Sequence, residues 1–366
     1  MIGMKKKICI SFEHLVASDG VSRSAIAIAN LLDEHGYDVT LVPLFRIENK
    51  LLGTVNSGVH LQKVFGFYFH GFAQIVDLFP DSLLYWWIFK RHHYDLEIAF
   101  QKDLPIKIIG ARCNDGKPRR LAWIHTYDEG LALRKQYERI GKVICVSKQN
   151  SDRLSKELPS VVSDYSYNPI DEKVIIEQSK ESIDIKRPSD CPLFVSVGRH
   201  SPEKGYIRLL DIIARLRNEG YKMKLWLIGG GVQHDELIDH SNRLGLQDIV
   251  YFTGQTSNPH KYTVHGDIFV CSSYREGYST ACTESIMLGI PVITTNVGGS
   301  REIIEDSGAG IHCDIDDESL YKAIKKVLDN PILITKWKNV LETNKNKFSQ
   351  RMRTQKLFKI VEEQID

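Results

Sequence analysis

Two glutamates separated by seven residues are the side chains in this chain with the clearest chemical use. Glu276 and Glu284 follow an apolar segment, 267–271, that is typical of a short buried strand. A helix predicted over 281–288, with Ser279 or Thr280 as its N-cap, would offer free backbone N–H groups to a phosphate. Carboxylates also accept hydrogen bonds from sugar hydroxyls. The segment that carries Glu276 and Glu284 therefore favours a ligand with a diphosphate between two polyols, as in a nucleotide sugar. The glutamate pair alone is described better by an ordinary strand–loop–helix unit with two solvated carboxylates.

The residues around and after this pair form an ordered set of motifs. Glu276-Gly277 is followed by Gly289-Ile290-Pro291-Val292, which begins another apolar strand, and then by Gly298-Gly299, which opens a helix. This set resembles the C-terminal signature of glycosyltransferase family 4, whose members are retaining enzymes. The resemblance implies the α/β GT-B fold, in which two Rossmann-like doubly wound domains face each other across a cleft.

A second motif places two cations on one loop. Arg199 and Lys204 lie five residues apart between the predicted strand 193–197 and the predicted helix 206–218. A guanidinium fork and an ammonium both bind phosphate, although the spacing alone describes two solvated cations equally well. The loop is similar to the Gly-Arg-x-x-x-x-Lys-Gly motif of family 4, which implies that both cations hold the donor diphosphate.

The N-terminal part begins with the strand, loop and helix of a doubly wound sheet, whose ligands collect at the carboxyl ends of the strands. In the first loop Gly20 would let a ligand approach the backbone. The family usually has two adjacent glycines there, and Asp19 replaces the first of them. His125 ends the predicted strand 120–125; on its own it is described better as a structural histidine, but the resemblance implies a position near the transferred sugar.

The resemblance also implies the role of each residue. Arg199, Lys204 and the amides of 278–280 would neutralise the leaving diphosphate, Glu284 would hold the ribose, and Glu276 would hold the donor sugar. The residues predicted to be catalytic are His125, Arg199, Lys204 and Glu276. The residues predicted to bind the donor are Gly20, Arg199, Lys204, Thr256, Gly277, Tyr278, Ser279, Thr280 and Glu284. No protein nucleophile is implied.

The expected reaction is transfer of a hexose or N-acetylhexosamine from a nucleotide sugar to a sugar hydroxyl, with retention of configuration. A UDP-sugar is favoured because the residues around His125 and Ser279-Thr280 resemble the bacterial polysaccharide branch of the family. Two alternatives stay open, namely a GT-B transferase with a soluble acceptor and a nucleotide-sugar-binding protein without turnover. The sequence does not determine the sugar, the linkage or the oligomeric state.

Composition limits the other function classes. A net charge of +2 argues against a nucleic-acid partner, and the seven cysteines, with no Cys-x-x-Cys pair, predict buried thiols rather than a disulfide or zinc framework. Asp314 and Asp316 form the Asp-x-Asp pattern that binds metal in other glycosyltransferases. They precede a predicted helix over 317–328, however, where aspartate is a common cap. We therefore expect no metal and no cofactor apart from the donor substrate.

A length of 366 residues predicts two domains. The turn at Asn168-Pro169 and the charged segment 172–190 mark the boundary. We predict an acceptor-binding domain over 1–170, completed by a crossover helix within 350–366, and a nucleotide-sugar-binding domain over 171–349. We find neither a signal-peptide pattern nor an apolar run near the ~18 residues of a membrane span. The expected location is the cytoplasm, with peripheral attachment to the inner face of the cytoplasmic membrane as an option.

One apolar segment is a candidate for that attachment. Residues 83–89 are all large and apolar, include Trp86 and Trp87, and are followed by Lys90 and Arg91. Adjacent residues on a helix cannot share one face, so the segment is either buried on both sides or partly turned outward. Burial and an interfacial helix beside anionic lipid are favoured equally.

The charge distribution agrees with an interfacial segment. The first 170 residues carry 22 Lys and Arg against 18 Asp and Glu, which is 22 − 18 = +4. Lys117, Arg119 and Arg120 could extend the basic face. The resemblance places the acceptor in this half, so the expected acceptor is a lipid-linked glycan of cell-surface polysaccharide biosynthesis.

Overall fold

The computed structural model describes residues 5–16, 20–89, 92–111, 119–127 and 132–365. The chain divides into two compact units, one formed by Met1–Pro169 with Arg353–Asp366 and the other by Ile170–Met352. The boundary predicted after residue 170 lies one residue from this division. Each unit is built on a parallel sheet.

The sheet of the first unit has seven strands within the described residues, in the order β3-β2-β1-β4-β5-β6-β7. The strands are β1 Lys7–Phe12, β2 Asp38–Pro43, β3 His60–Leu61, β4 Leu96–Ala99, β5 Arg119–Ile124, β6 Lys142–Cys145 and β7 Val162–Tyr165. The central strand β1 is parallel to both neighbours, with Ile8 in register with Val39 and Leu96. Its residues after Lys7 are buried, which explains why it is a continuous apolar run rather than an alternating one.

Helices connect these strands. They are α1 Gly20–Glu34, α2 Asn49–Leu52, α3 Phe72–Asp77, α4 Asp81–Phe89, α5 Leu104–Ile109, α6 Arg134–Ile140 and α7 Lys148–Glu157. The segment after Leu104 forms the helix α5, with Pro105 in its first turn.

The sheet of the second unit has six strands among the described residues, in the order β10-β9-β8-β11-β12-β13. The strands are β8 Leu193–Val197, β9 Lys224–Ile228, β10 Val250–Gly254, β11 Ile268–Cys271, β12 Val292–Thr295 and β13 Gly310–Cys313. The order reverses between β8 and β11, and such a reversal is the point where doubly wound sheets bind ligands.

The helices of the second unit are α8 Glu172–Ser179, α9 Tyr206–Asn218, α10 His234–Arg243, α11 His260–Thr263, α12 Thr280–Met287, α13 Ser300–Ser307, α14 Asp317–Asp329 and α15 Ile332–Asn344. Two 3-10 turns, Pro202–Lys204 and Lys345–Phe348, complete it. The charged segment after residue 171 is therefore partly helical, because Asp171 caps α8 through the N–H groups of Lys173 and Val174.

The last helix, α16 Gln350–Ile365, passes from the second unit into the first at Arg353. Within the first unit, Arg353 Nε donates to the Asn168 carbonyl at 2.8 Å and Lys356 pairs with Asp164 at 2.6 Å. These contacts fix the end of the chain on the first unit. Among the described residues, no helix combines the length and the apolar character that crossing a bilayer requires.

Candidate active site

The loop between β11 and α12 carries the residues that the sequence marked first. Ser279, rather than Thr280, is the N-cap of α12, because its hydroxyl accepts from the Cys282 N–H at 3.3 Å. The Thr283 hydroxyl bonds back to the Ser279 carbonyl at 3.1 Å. The helix N-terminus therefore begins at Thr280, after the carboxyl end of a strand next to the order reversal.

Lys204 and Glu276 form an ion pair that joins the two predicted motifs. Lys204 Nζ donates to Glu276 Oε1 at 2.7 Å, and the two side chains are only 22% and 14% exposed. Burial disfavours the charged ammonium, but the Glu276 carboxylate outweighs this effect and raises the pKa of Lys204 above its usual value. A second donor, Ser273 Oγ, reaches Glu276 Oε1 at 2.7 Å. The ammonium still has two further N–H groups to offer to a ligand.

Gly205 allows the two loops to approach each other. Its φ is +65°, and a Cβ atom there would lie 2.3 Å from the Ser272 carbonyl oxygen. Any other residue would strain the backbone and push the loops apart. Two hydrogen bonds cross the same gap, from Ser272 Oγ to the Lys204 carbonyl at 2.8 Å and from the Tyr274 N–H to the Glu203 carbonyl at 2.8 Å.

Arg199 is placed differently from the other cation of its motif. Its side chain is 65% exposed, and its guanidinium lies 3.8 Å from Glu203. Exposed pairs of this kind contribute little free energy, so the guanidinium can reorient toward an incoming anion. The neighbouring His200 is buried, its Nδ1 lies 2.9 Å from that of His234, and burial lowers its pKa to about 4.

The three glycines after β9 pack against the loop that begins at Gly198. Gly229 and Gly231 both have positive φ, and a Cβ on either would lie within 2.5 Å of the Gly198 or His200 carbonyl oxygen. The His200 N–H donates to the Gly230 carbonyl at 2.8 Å. These contacts pack the glycine turn against the cationic loop and so support that loop.

A tyrosine links the glutamate loop to the following motif. The buried Tyr278 ring covers Gly299, where a Cβ would lie 2.3 Å from Tyr278 Cδ2. Gly299 also has a φ of +72° and precedes α13 directly. The Gly-Gly pair therefore leaves room for the tyrosine, which in turn fixes the backbone that leads to Ser279.

His125 follows β5 in the first unit. Burial lowers its pKa to about 4, and a hydrogen bond with the Phe100 backbone offsets this only in part. Its ring lies edge-on to Phe100 at 4.7 Å between centroids. Among the described residues its buried Nε2 atom has no hydrogen-bond partner. Burial therefore favours the neutral form of the His125 imidazole at pH 7.

The remaining predicted site residues occupy varied positions. Gly20 is the first residue of α1, Gly277 is buried, and Glu284 lies in the second turn of α12 and is partly buried. Thr256 Oγ1 accepts from the Asn258 N–H at 3.1 Å and so closes a local turn. The structure thus brings Lys204 together with Glu276, and Tyr278 with Gly299.

Sequence reasoning missed three residues of this site. Ser272 and Ser273 directly follow β11 and bond to the Lys204 backbone and the Glu276 carboxylate, while Arg208 donates to both of their carbonyls. Polar residues immediately after a buried parallel strand are the available signal for the serines, because that edge collects ligands. An arginine in a helix gives no comparable signal.

Asp316 has the structural role that the sequence favoured. Its carboxylate accepts from the Ser319 N–H at 2.9 Å and caps α14. Within the described residues no three His, Cys, Asp or Glu side chains are grouped so that they could hold a metal ion.

The helix α4 turns part of its apolar segment outward. Leu84, Tyr85, Ile88 and Phe89 are buried, whereas Leu83, Trp86 and Trp87 are each about half exposed. Lys90, Arg91 and Lys117 lie outside the described residues. The prediction that Arg120 extends the exposed basic face is wrong, because its side chain is only 9% exposed. Its Nε lies 3.6 Å from Glu97, and its guanidinium lies 4.9 Å from the Tyr85 ring centroid.

Exposed apolar side chains continue from α4 into the preceding segment. Trp87 contacts the Phe65 ring, and Phe65 contacts Phe72, with ring centroids 5.2 Å apart in each pair. Phe67 and Phe69 contact Phe72 in turn. We call the following exposed residues the apolar surface: Phe67, Phe69, Ile75, Leu78, Phe79, Leu83, Trp86 and Trp87.

Comparison with known proteins places this site in a family context. Residues 177–345 match the family described as glycosyl transferases group 1. An N-acetylgalactosamine-N,N'-diacetylbacillosaminyl-diphospho-undecaprenol 4-alpha-N-acetylgalactosaminyltransferase of Campylobacter jejuni is 31% identical over 50% of this chain and 49% of its own length. The lipopolysaccharide core biosynthesis glycosyltransferase LpsD of Rhizobium meliloti is 30% identical over 41% of this chain and 43% of its own. The chain thus matches about half the length of these relatives.

A solved structure extends the similarity to the whole fold. The crystal structure of Anabaena Alr3699/HepE in complex with UDP covers 98% of this chain and 100% of its own, with a TM-score of 0.74 and 17% identity. The two parallel-sheet Rossmann-like units described above match the GT-B architecture, as the sequence predicted.

Proposed function

Because residues 177–345 of this chain match the family of glycosyl transferases group 1, we propose that the protein is a retaining glycosyltransferase. It moves a hexose or N-acetylhexosamine from a UDP-sugar to a sugar hydroxyl of a lipid-linked glycan. The observation that carries the proposal is the partly buried pair of Lys204 with Glu276, beside the loop that leads to the N-terminus of α12.

In this proposal the cationic loop and the N-terminus of α12 both bind the diphosphate of the donor. Lys204 keeps one N–H on Glu276 and directs the other two to the diphosphate, while the exposed Arg199 closes on it from solvent. The amides of 278–280 add the field of a helix N-terminus. Negative charge grows on the diphosphate as its bond to the sugar breaks, so these contacts stabilise the transition state. No divalent ion is required, because the protein supplies the positive charge.

The carboxylates and His125 recognise hydroxyls. Glu276 accepts from hydroxyls of the donor sugar, and Glu284 accepts from the ribose. His125, which stays neutral because burial lowers its pKa to about 4, bonds a sugar hydroxyl through Nε2. A neutral ring suits this role, because an unprotonated nitrogen can accept a hydrogen bond from a hydroxyl.

Three similar proteins support the proposed donor and acceptor. The structurally similar Anabaena protein was solved with UDP, and the Campylobacter relative acts on a diphospho-undecaprenol-linked sugar according to its name. The Rhizobium relative acts in lipopolysaccharide core biosynthesis. A membrane-linked glycan acceptor is consistent with both relatives.

The apolar surface is our candidate for contact with the membrane. Large exposed apolar patches on a soluble fold mark interaction sites, and aromatic residues favour the headgroup region of a bilayer. Lys90 and Arg91 follow α4 directly and would lie beside anionic lipid. We therefore propose that the protein is peripheral on the inner face of the cytoplasmic membrane.

The activity is tested with a panel of nucleotide sugars, each incubated with and without lipid-linked acceptors. We expect slow release of UDP without acceptor and faster release with it, and the anomeric configuration of the product, measured by NMR, reports retention. Turnover of a soluble acceptor alone would favour the alternative of a GT-B transferase with a soluble acceptor. Tight binding of UDP-sugars without any release of UDP would show a binding protein.

The membrane contact is tested by flotation with liposomes. We expect binding that needs anionic lipid, weakens as salt rises, and falls in Trp86→Ser/Trp87→Ser and in Lys90→Glu/Arg91→Glu. Ile332→Ser is the matched control, because Ile332 is an exposed apolar residue of the second unit. If the wild-type protein ignores anionic liposomes at low salt, the membrane contact is refuted and a soluble acceptor is favoured.

A further inference from the structure

Arg208 is a buried arginine beside the candidate site. It lies in the first turn of α9, and only 3% of the residue is exposed. A buried guanidinium is costly unless its N–H groups find acceptors. The nearest carboxylate is that of Asp317, 3.4 Å from Nη1, and Asp317 is itself mostly exposed. The positive charge is therefore held chiefly by neutral oxygen atoms.

Those oxygens are backbone carbonyls of two loops. Nε donates to the Ser272 carbonyl at 2.9 Å and Nη2 to the Ser273 carbonyl at 3.0 Å, while Nη1 donates to the carbonyl of Ile315. The guanidinium also lies 3.8 Å from the centre of the Tyr274 ring. One side chain thus fixes three consecutive residues after β11.

The residues that Arg208 holds are the ones that hold the ion pair. Ser272 Oγ bonds to the Lys204 carbonyl at 2.8 Å, and Ser273 Oγ bonds to the Glu276 carboxylate at 2.7 Å. Gly205 completes the arrangement, since a Cβ there would lie 2.8 Å from Arg208 Nε. Displacing the Ser272-Ser273 backbone would therefore move both members of the pair.

We propose that Arg208 is a positioning residue, which holds the Lys204 loop and the Glu276 loop at the separation that donor chemistry requires. The inference rests on the proposed glycosyltransferase function. Lysine cannot replace arginine here, because a single ammonium lacks the planar fork that reaches several carbonyls at once. Arg208 touches neither the donor nor the acceptor in this proposal and acts only through the two loops.

The variant is Arg208→Lys, and its matched control is Arg215→Lys. Arg215 lies two turns further along α9, is 50% exposed, donates to Glu318 at 2.7 Å and stacks on Tyr321. Both changes remove a guanidinium from the same helix and keep the charge. We expect Arg208→Lys to lower kcat about 10²-fold, since small displacements of reacting groups have effects of this size. Arg215→Lys should stay within about 3-fold of wild type.

A double-variant cycle separates positioning from general stabilisation. In a Lys204→Ala background, Arg208→Lys should lower kcat by less than about 3-fold, because the contact that it positions is already gone. Equal effects in both backgrounds would overturn the proposal. Thermal unfolding of each variant shows whether a loss of folded protein contributes.

Hydrogen exchange tests the same idea without turnover. Peptides that cover 200–206 and 272–281 should exchange faster in Arg208→Lys than in wild type, and equally fast in Arg215→Lys and wild type. Unchanged exchange in both segments would also overturn the proposal. A wild-type protein that releases no UDP from any nucleotide sugar would refute the proposed function instead, and the exchange result would still decide whether Arg208 positions the loops.

Discussion

The two units present their functional candidates in opposite ways. In the second unit, polar side chains bond to one another, as Lys204 does to Glu276 and Ser273 does to the same carboxylate. In the first unit, the apolar surface exposes Trp86 and Trp87, and His125 keeps one nitrogen without a described partner. The difference teaches that a preorganised site is recognised by hydrogen bonds among its own side chains, whereas a docking surface is recognised by large apolar side chains that remain exposed.

The sharpest way to break this comparison is Lys204→Ala. We expect turnover to fall by about 10²–10³-fold, because a charge-assisted contact to the developing anion is lost. The substitution also leaves Glu276 without its cation, so Lys204→Ala/Glu276→Gln is the control that removes both charges. Steady-state kinetics with UDP-sugar decide the point. Near-normal turnover in Lys204→Ala would show that the donor diphosphate does not bind at Lys204.

A second test separates the two glutamates. Glu276→Gln should lower kcat with little change in UDP affinity, because its proposed contacts lie at the reacting sugar. Glu284→Gln should mainly weaken UDP binding, since its proposed contact is the ribose. Calorimetry with UDP alone measures the second effect directly. A loss of UDP affinity only in the Glu276 variant would exchange the two roles.

A smaller effect is expected from acid. His125 and His200 have pKa values near 4 when folded, against an ordinary value of 6.5. Between these values the unfolded chain binds more protons than the folded chain, so stability falls as pH falls through this range. We expect a loss on the order of 1 kcal/mol for each histidine between pH 7 and pH 5. Denaturant unfolding at both pH values measures it, and His125→Asn should show a weaker pH dependence.

The smallest effect should come from a chelator. Activity should persist in excess EDTA, because Lys204, Arg199 and the α12 N-terminus supply the positive charge in our proposal. Turnover before and after chelation is the measurement. Abolition by EDTA with rescue by manganese or magnesium would contradict metal independence and direct attention back to Asp314 and Asp316.

Much of this architecture was predictable because local sequence carries it. Apolar runs such as 193–197 and 268–271 predict buried parallel strands. Ser279 and Asp316 predict the starts of helices, because their side chains are typical N-caps. The motifs then fixed the fold class. Helix α12 was placed one residue late only because Ser279 and Thr280 compete for the same cap.

What could not be predicted depends on contacts distant in sequence. Lys204 and Glu276 lie 72 residues apart, and Arg208 reaches the Ser272 carbonyl across 64. Arg120 was assigned to a surface because its neighbours are basic, yet its guanidinium lies near Tyr85 beside a buried Glu97. No local pattern shows that a charged residue has a partner elsewhere in the chain.

The pairing of Lys204 with Glu276 has a consequence for which anions compete with the donor. Lys204 and Glu276 form a pair with no net charge, and Arg199 is likewise paired with Glu203. A small anion such as sulfate gains little from that neutral pair, and it offers Glu276 no hydroxyl in exchange for a shared ammonium. A nucleotide sugar offers both charges and hydroxyls. We expect sulfate to inhibit much more weakly than UDP, because charge alone gains it little at cations that are already paired with carboxylates.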